Sequence, residues 1–258
     1  MWLALDIGNS SVKGGLFEGS GLVHTFRLDL TRRDPPEAWD AALRAALAGQ
    51  RVERAGVASV VPPVVEGVRA VLSRLTGAAP VVVHPGLRLP LRLAYETPHT
   101  LGADRLAAAV AAWTRYGHAP ETPRDVVALD AGTAVTYDVV DRTGTFLGGP
   151  IGAGPVLVRQ GLATGTAQLS EVPLERPVEV IGRSTREALQ SGILYGFIDS
   201  VAGMLARLAA RLGRRPYVVA TGGWAPFLAD HLDAIDHVEP HLVLQGIYDL
   251  MVLNGGSA

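Results

Sequence analysis

The chain contains no cysteine, and charged residues make up only 19% of its 258 positions. The absence of cysteine excludes a disulfide framework and every cysteine-ligated zinc site, and it is compatible with a reducing compartment, the cytoplasm. Lysine and arginine form no blocks, and the formal net charge is −2. Because binding to a phosphate backbone requires a concentrated basic face, we do not expect nucleic acid as a partner.

Long hydrophobic runs and histidine metal motifs are missing as well. The start Met1–Asp6 has no basic lead and meets an aspartate after five residues, so it indicates a strand and not a signal peptide. The most apolar helix-like stretch, Leu106–Trp113, is far shorter than the roughly 20 residues that span a bilayer, and we expect no transmembrane segment. None of the seven histidines lies in a His-x-His or His-Glu-x-x-His motif, which argues against a histidine metal centre.

The hydrophobic pattern instead predicts an α/β protein with two series of elements. In the first series, three short strands precede alternating helices and strands, with strands at 2–6, 12–17, 22–28, 56–60 and 80–83 and helices at 35–47 and 64–75. The polar loop Gly117–Arg124 separates it from the second series. That series has strands at 126–130, 135–141, 145–148 and 217–220 and helices at 155–165, 184–212, 225–231 and from 242. We therefore predict two domains, 1–117 and 118–258, each with a mixed sheet that starts with three antiparallel strands and is flanked by helices.

The two series begin with the same short motif. Leu5-Asp6-Ile7-Gly8-Asn9-Ser10 and Leu129-Asp130-Ala131-Gly132-Thr133-Ala134 share a strand end, an aspartate, a spacer, a glycine and a small polar residue. This repeat indicates an internal duplication with a cleft between two related halves.

Each Asp-x-Gly turn has the composition of a phosphate-binding turn. Glycine permits close approach of a phosphate to backbone N–H groups, and polar side chains add donors. The predicted phosphate contacts are Gly8, Asn9, Ser10, Lys13, Gly132 and Thr133, while Asp6 is predicted to hold a hydrated Mg²⁺. A single turn of this kind is more simply a tight hairpin, and the matching pair favours a phosphate clamp. The chain contains no P-loop motif.

Two further segments contain candidate site residues. Gly222 and Gly223 follow a predicted strand, where they would let the backbone lie against a flat ring such as adenine, or would merely form a strand-to-helix turn. Asp104 falls in the first turn of a predicted helix, where the helix dipole favours its ionised form and allows it to accept a proton. Arg105 beside it offers a planar fork of donors to an anionic substrate group. The simpler interpretation is that Asp104 caps the helix and Arg105 is solvated.

In combination and order, these motifs closely resemble the type III pantothenate kinases, members of the actin, Hsp70 and sugar-kinase superfamily. The matching segments are Asp6-Ile7-Gly8-Asn9-Ser10, Tyr95-Glu96-Thr97-Pro98, Gly102-Ala103-Asp104-Arg105, Asp130-Ala131-Gly132-Thr133-Ala134, Ile181-Gly182-Arg183-Ser184-Thr185 with Gln190-Ser191-Gly192, and Ala220-Thr221-Gly222-Gly223. Gly-Ala-Asp-Arg and the segment around Thr185 are more discriminating than the Asp-x-Gly turns, which the superfamily shares.

The resemblance implies two actin-like (ribonuclease H-like) domains and ATP-dependent phosphorylation of pantothenate to 4'-phosphopantothenate, the first step of coenzyme A biosynthesis. It implies a cytoplasmic homodimer that uses ATP, Mg²⁺ and a monovalent cation, K⁺ or NH₄⁺, with Asp130 helping to bind that cation. Asp104 matches the general base. The implied substrate contacts are Tyr95, Gly102, Ala103, Arg105 and Thr185, the last of them from the second subunit.

The chain departs from the family pattern at two places near the site. It has Gly148-Gly149-Pro150-Ile151-Gly152-Ala153-Gly154-Pro155 where the family usually has a Pro-Gly pair after Gly-Gly-x-Ile, and it has Ser170 where the family typically has proline. Two alternatives stay open. One is another kinase of the superfamily, such as a sugar or acetate kinase, and the other is a non-catalytic regulatory relative that binds nucleotide.

Overall fold

The first sheet begins with the three antiparallel strands that the alternating pattern predicts. The structure, a computed structural model, describes residues 1–8, 11–30, 34–119 and 121–255. The elements of the first part are β1 (Trp2–Ile7), β2 (Val12–Glu18), β3 (Gly21–Leu28), α1 (Pro36–Leu47), β4 (Arg54–Ser59), α2 (Pro62–Thr76) and β5 (Val81–Val82). They form a five-stranded sheet of order β3-β2-β1-β4-β5, in which β1, β4 and β5 are parallel.

The second sheet repeats this plan. The remaining elements are β6 (Arg92–Leu93), a 3₁₀ turn (Pro98–Thr100), α3 (Ala103–Ala112) with a π-helical end (Trp113–Gly117), β7 (Val126–Ala131), β8 (Ala134–Val140), β9 (Thr145–Gly148), β10 (Ile151–Ala153), α4 (Pro155–Gly165), α5 (Thr185–Leu212), β11 (Tyr217–Thr221), α6 (Ala225–Ala229), β12 (His237–Val238) and α7 (Leu242–Asn254). The strand order is β12-β11-β7-β8-β9-β6, and β10 pairs with β8. In the first sheet, β1 pairs antiparallel with β2 and parallel with β4. In the second sheet, β7 pairs in the same way, antiparallel with β8 and parallel with β11. The predicted fold class, with its duplicated α/β halves, is confirmed.

The side chains of the central strands point alternately into two cores. In β1, Leu3 and Leu5 lie in a core with α1 and α2, whereas Ala4 faces the core that contains α3 and α7. In β7, Leu129 faces α5 and α6, whereas Ala128 faces α3 and α7. Because successive residues of a strand point to opposite faces, Asp6 and Asp130 face the layer of α3 and α7.

The helices α3 and α7 form the middle layer and pack closely against each other. A Cβ at Gly246 would lie 1.8 Å from the carbonyl oxygen of Ala107, so only glycine allows this approach. At the far end of the pair, Asp249 of α7 accepts hydrogen bonds from Thr114 (3.0 Å) and Arg115 (2.8 Å). These contacts hold the helix that carries Asp104 against the first sheet through α7, which packs on β1 and β4.

Several elements lie outside the predicted pattern. The two-residue strands β6 and β12 and the three-residue β10 are too short to leave a periodic signal. The strand β6 and helix α3 lie on the second sheet although they precede residue 117, and α7 lies on the first. The boundary between residues 117 and 118 stays a prediction.

Among the described residues, one helix, α5, is long and apolar enough to cross a membrane by its length and composition. The expectation of no transmembrane segment was drawn from Leu106–Trp113 and did not consider α5. Its inner face packs on the second sheet, where Phe197 and Val201 are buried, and buried residues make up 33% of its most apolar window. Core helices of globular proteins have the same length and composition, and the outer face of α5 remains exposed.

Candidate active site

The first Asp-x-Gly turn joins β1 to β2. The backbone N–H of Gly8 donates to the carbonyl oxygen of Ser11 at 3.0 Å and closes the turn, while Asn9 and Ser10 lie outside the described residues. Asp6 pairs directly with Lys13 across the two strands, so both side chains lie on the same face of the sheet. Burial raises the pKa of Asp6 to about 7, although the positive charge of Lys13 opposes the shift.

The second turn joins β7 to β8 and is supported from both sides. The N–H of Gly132 donates to the carbonyl oxygen of Ala134 at 3.0 Å, and Thr133 lies exposed at the tip. The N–H of Gly154, at the start of α4, donates to the carbonyl oxygen of Thr133 at 2.9 Å. Burial also raises the pKa of Asp130.

The charged groups next to the two turns interact electrostatically. Lys13 of the first sheet lowers the pKa of both Asp6 and Asp130, and the negative charge of Asp104 raises both. Such mutual effects require that the four groups lie close together in surroundings of low dielectric constant. The fold therefore unites one charged cluster from β1, β2, α3 and β7, as the sequence repeat predicts.

Gly222 and Gly223 lie behind the second turn. Gly222 has a φ of +89°, and a Cβ there would come 2.5 Å from Asp130 Oδ1. Two residues later, the N–H of Trp224 donates to the carbonyl oxygen of Ala131 at 2.9 Å. At the exposed Gly223, nothing lies within 4 Å of an added Cβ. The β11–α6 turn thus packs against Asp130 and leaves Gly223 open to a ligand.

The helix α3 presents Asp104 and Arg105 to this cluster. Gly102 and Ala103 begin the helix, and Asp104 lies in its first turn with Oδ1 accepting from the N–H of Arg105 at 2.8 Å. A Cβ at Gly102 would lie 2.6 Å from that oxygen, so the absence of a side chain at this position makes room for the carboxylate of Asp104.

Arg105 is not solvated, which contradicts the simpler of its two interpretations. Its side chain is 7% exposed, and its Nε donates to Oδ1 of Asp138 at 2.8 Å. The carboxylate of Asp138 is wholly buried, and burial raises its pKa above the ordinary value, which Arg105 opposes. Sequence reasoning missed Asp138, although a lone carboxylate within the apolar strand Val135–Val140 is a signal that could have found it.

The divergent Gly148–Pro155 segment supports two predicted substrate contacts. Gly148 has a φ of +90°, and a Cβ there would lie 3.1 Å from the ring of Tyr95. The carbonyl oxygen of Gly149 accepts a hydrogen bond from Nη2 of Arg105 at 3.1 Å. Tyr95 and Arg105 are therefore aligned by neighbouring residues of one segment.

Thr185 lies apart from the cluster within this chain. It is the exposed first residue of α5, where Ser184 Oγ accepts from the N–H of Glu187 at 3.3 Å and Glu187 Oε2 accepts from the N–H of Arg183 at 2.7 Å. In the part of the chain that the structure describes, no hydrogen bond or ion pair joins Thr185 to Asp104 or Arg105. Large apolar side chains are exposed on β10, on α4 and in the segment between α4 and α5, namely Ile151, Leu157, Val158, Val178, Val180 and Ile181.

An apolar cavity of about 380 Å³ opens between β8, β10, α4 and α5. Ile151 and Val158 belong both to its lining and to the exposed apolar face. Tyr137 lines the cavity from β8, one residue before Asp138. The cavity therefore lies on the opposite side of β8 from Arg105.

The charged cluster suits phosphate and cations better than a metal held by protein alone. Among the described residues, no three histidine, aspartate or glutamate side chains are placed to hold a metal ion together. Glycine turns, one lysine and several carboxylates can instead bind a phosphate chain together with its cations. Asp104 completes the set with a group that can accept a proton from an alcohol.

Comparison with known proteins agrees with this chemistry. The model of the type III pantothenate kinase family matches residues 2–207. A type III pantothenate kinase from Anaeromyxobacter dehalogenans is 35% identical over 252 residues, covering 96% of this chain and 97% of that protein. One from Acidothermus cellulolyticus is 38% identical over 253 residues and covers 96% of each chain.

Solved structures share the fold at lower identity. A Campylobacter jejuni protein described as a Baf family transcriptional activator has a TM-score of 0.62 and 20% identity over 98% of both chains. A ROK family glucokinase from Streptomyces griseus has a TM-score of 0.57 and 16% identity, covering 98% of this chain and 99% of that one. Several kinases thus share this fold, and the sequence relatives identify the family within it. The chain belongs to the type III pantothenate kinase family, and it is a phosphotransferase that uses ATP and a divalent metal.

Proposed function

We propose that the chain transfers the γ-phosphoryl group of ATP to the primary hydroxyl of pantothenate, the first step of coenzyme A synthesis, with Asp104 as general base. The observation that carries this proposal is the position of Asp104, which lies within electrostatic reach of both Asp6 and Asp130. A base in that position meets the acceptor hydroxyl where the two phosphate turns meet. Phosphoryl transfer depends mainly on such positioning and on charge neutralisation.

Each part of the site has a role in this reaction. The glycine turns at Gly8 and Gly132 let the phosphate chain approach the backbone, the side chain of Thr133 donates to it, and Lys13 offsets its charge. Asp104 accepts the hydroxyl proton as the oxygen attacks the γ-phosphorus and ADP leaves. The acceptor lies on Tyr95, Gly102, Ala103 and Arg105, and the open turn at Gly222 and Gly223 takes the adenine ring. Asn9 and Ser10 stay predicted phosphate contacts.

The carboxylates of Asp6 and Asp130 fit cations. Carboxylate oxygens are the donors that Mg²⁺ and K⁺ prefer. Burial raises the pKa of both groups, so a bound cation would stabilise the charged form of each. Asp6 would hold Mg²⁺ through water, because that ion keeps several waters and is bound largely by substrate phosphates. Asp130 would hold K⁺ or NH₄⁺. When bound, these cations neutralise the charge of the transferred phosphate.

We infer that two copies of the chain share each site in a cytoplasmic homodimer. Thr185 is exposed and lies beside the apolar residues Val180 and Ile181, which are 65% and 78% exposed. Large contiguous apolar patches on a protein surface mark interaction sites. A second copy seated on α4, α5 and β10 would cover this face and bring its own Thr185 to the acceptor.

A kinase assay tests the proposed activity. Purified protein with ATP, Mg²⁺ and K⁺ is expected to form 4'-phosphopantothenate, detected by mass spectrometry. Asp104→Asn should lower kcat by about 10²–10⁴-fold, the usual contribution of a general base, while pantothenate binding measured by calorimetry persists. Asp230→Asn, at an exposed carboxylate that ends α6, serves as the matched control.

Two outcomes would point to the alternatives. Phosphorylation of a sugar without phosphorylation of pantothenate would indicate another kinase of the superfamily. Nucleotide binding without turnover of any acceptor would indicate a regulatory relative.

A further inference from the structure

Asp138 is a charged residue that the proposed reaction does not use. It lies in the middle of β8, is wholly buried, and points into the layer that contains α3, while its neighbours Tyr137 and Val139 point into the core beneath α5. An isolated carboxylate in such surroundings is costly, and its charged partner is Arg105. The pair therefore joins the second sheet to the first turn of the helix that carries the proposed base.

The guanidinium of Arg105 uses only some of its N–H groups in contacts with the protein. Nε donates to Asp138 Oδ1 at 2.8 Å, Nη2 lies 2.7 Å from the same oxygen, and Nη2 donates to the carbonyl oxygen of Gly149 at 3.1 Å. Within the described ranges, Nη1 has no protein partner. The fork of donors is thus fixed along one edge and leaves Nη1 for a ligand.

The two anchors are rigid. Asp138 pairs with Ala128 of β7 in the centre of the sheet, and Gly149 is pressed against the backbone of Tyr137, where an added Cβ would clash with the carbonyl oxygen. Rigid anchors reduce the conformational freedom that a long arginine side chain would otherwise lose on binding substrate.

We propose that Asp138 is a positioning residue for pantothenate phosphorylation. It orients Arg105 toward the anionic group of the acceptor. This inference rests on the proposed role of Arg105 in substrate binding. Asp138 itself touches neither substrate.

Steady-state kinetics of Asp138→Asn and Asp138→Glu test the inference. The first removes the charge that holds the guanidinium, and the second keeps the charge but moves it by one methylene. A displacement of about 1 Å can cost 10²-fold in rate. We expect kcat/KM for pantothenate to fall by about 10–100-fold in both variants, with a raised KM for pantothenate and a KM for ATP within twofold of the original.

A control variant separates positioning from folding. Asp125 is also buried, is paired with Arg214 at 3.3 Å, and accepts from the N–H of Arg142 at 2.8 Å. Asp125→Asn should lower stability and leave both KM values unchanged. A purely structural role of Asp138 would give the same pattern, with less active enzyme and unaltered KM values, and would overturn the inference. Failure of both Asp138 variants to fold would overturn it as well.

A double-substitution cycle gives the decisive comparison. When Arg105 is replaced by alanine, Asp138 has nothing to position, so adding Asp138→Asn should change kcat/KM less than about threefold. An equal effect of Asp138→Asn in both backgrounds would refute the inference. If the unaltered protein fails to phosphorylate pantothenate, or if Arg105→Ala keeps the original KM, the proposed function or the role of Arg105 fails instead.

Discussion

Gly222 and Asp130 lie in contact across the β11–α6 turn, with Asp130 Oδ1 only 2.5 Å from where a Cβ of residue 222 would be. The contact joins the glycine pair assigned to the adenine to the carboxylate assigned to the monovalent cation. Any side chain at position 222 must displace that carboxylate or the turn.

Gly222→Ala should therefore weaken both folding and ATP use. The φ of +89° costs a residue with a Cβ about 1–2 kcal/mol in unfolding free energy, and the displaced Asp130 raises the KM for ATP. Urea unfolding and steady-state kinetics measure the two effects. Gly223→Ala is the matched control, since nothing lies within 4 Å of its Cβ, and its unfolding free energy should change by less than about 0.5 kcal/mol. Equal stability of the two variants would contradict the packing argument.

Lys13 is the single lysine of the chain, which makes it a specific chemical probe. Because we place it on the phosphates, MgATP should protect its amine from an acylating reagent. At ten times the Kd, mass action leaves about one protein in eleven free, so labelling of Lys13 should slow about elevenfold. Peptide mapping distinguishes Lys13 from the amine of Met1, which lies at the opposite end of β1 and should label at an unchanged rate. Unprotected labelling of Lys13 would place ATP elsewhere.

The raised pKa of Asp6 predicts a pH dependence of stability. Its pKa is about 7 in the folded chain against 3.8 ordinarily, so the folded state keeps a proton that the unfolded state has lost between these values. Stability contributed by this group is thus present below pH 3.8 and is lost as pH rises to 7. Denaturant unfolding from pH 4 to pH 8 should show a smaller decline for Asp6→Asn than for the original chain, with part of the decline remaining because the pKa of Asp138 is raised too. Parallel curves for the two proteins would show that Asp6 titrates normally.

Replacement of K⁺ by Na⁺ tests the cation role of Asp130. We expect turnover to fall several-fold in Na⁺, and Asp130→Asn to have low turnover in either salt because it has lost the negative charge that attracts the ion. Unchanged turnover in Na⁺ would argue against a selective cation site. Initial rates at matched ionic strength give the measurement.

Mixed dimers test the proposed contribution of Thr185 from the second subunit. Asp104→Asn and Thr185→Arg should each be poorly active as homodimers. If Thr185 acts across the dimer, a mixed dimer combines both defects in one site and leaves the other site intact. Activity should then return when the two variants are unfolded and refolded together. No recovery, although mass spectrometry detects the mixed dimer, would place Thr185 in the site of its own chain.

The sequence by itself determined the longer elements and the family. Strand alternation and turn composition are local properties, so the two hairpins at Asp6 and Asp130 and the helix bearing Asp104 could be predicted from neighbouring residues alone. The glycine at position 102 and the capping residue Ser184 are also local signals. The motif Gly-Ala-Asp-Arg was specific enough to identify the chemistry before any contact was known.

Only the tertiary structure decided which groups meet. Asp138 lies 33 positions from Arg105, and nothing in the local pattern of β8 states that its carboxylate faces that guanidinium. The short strands β6 and β12 exist because β9 and β11 offer them partners. Helix α3 packs on the second sheet and α7 on the first, and the two helices approach each other closely at Ala107 and Gly246. Pairing of distant residues depends on the free energy of the whole packed arrangement, whereas a local pattern reports only the preferences of adjacent residues.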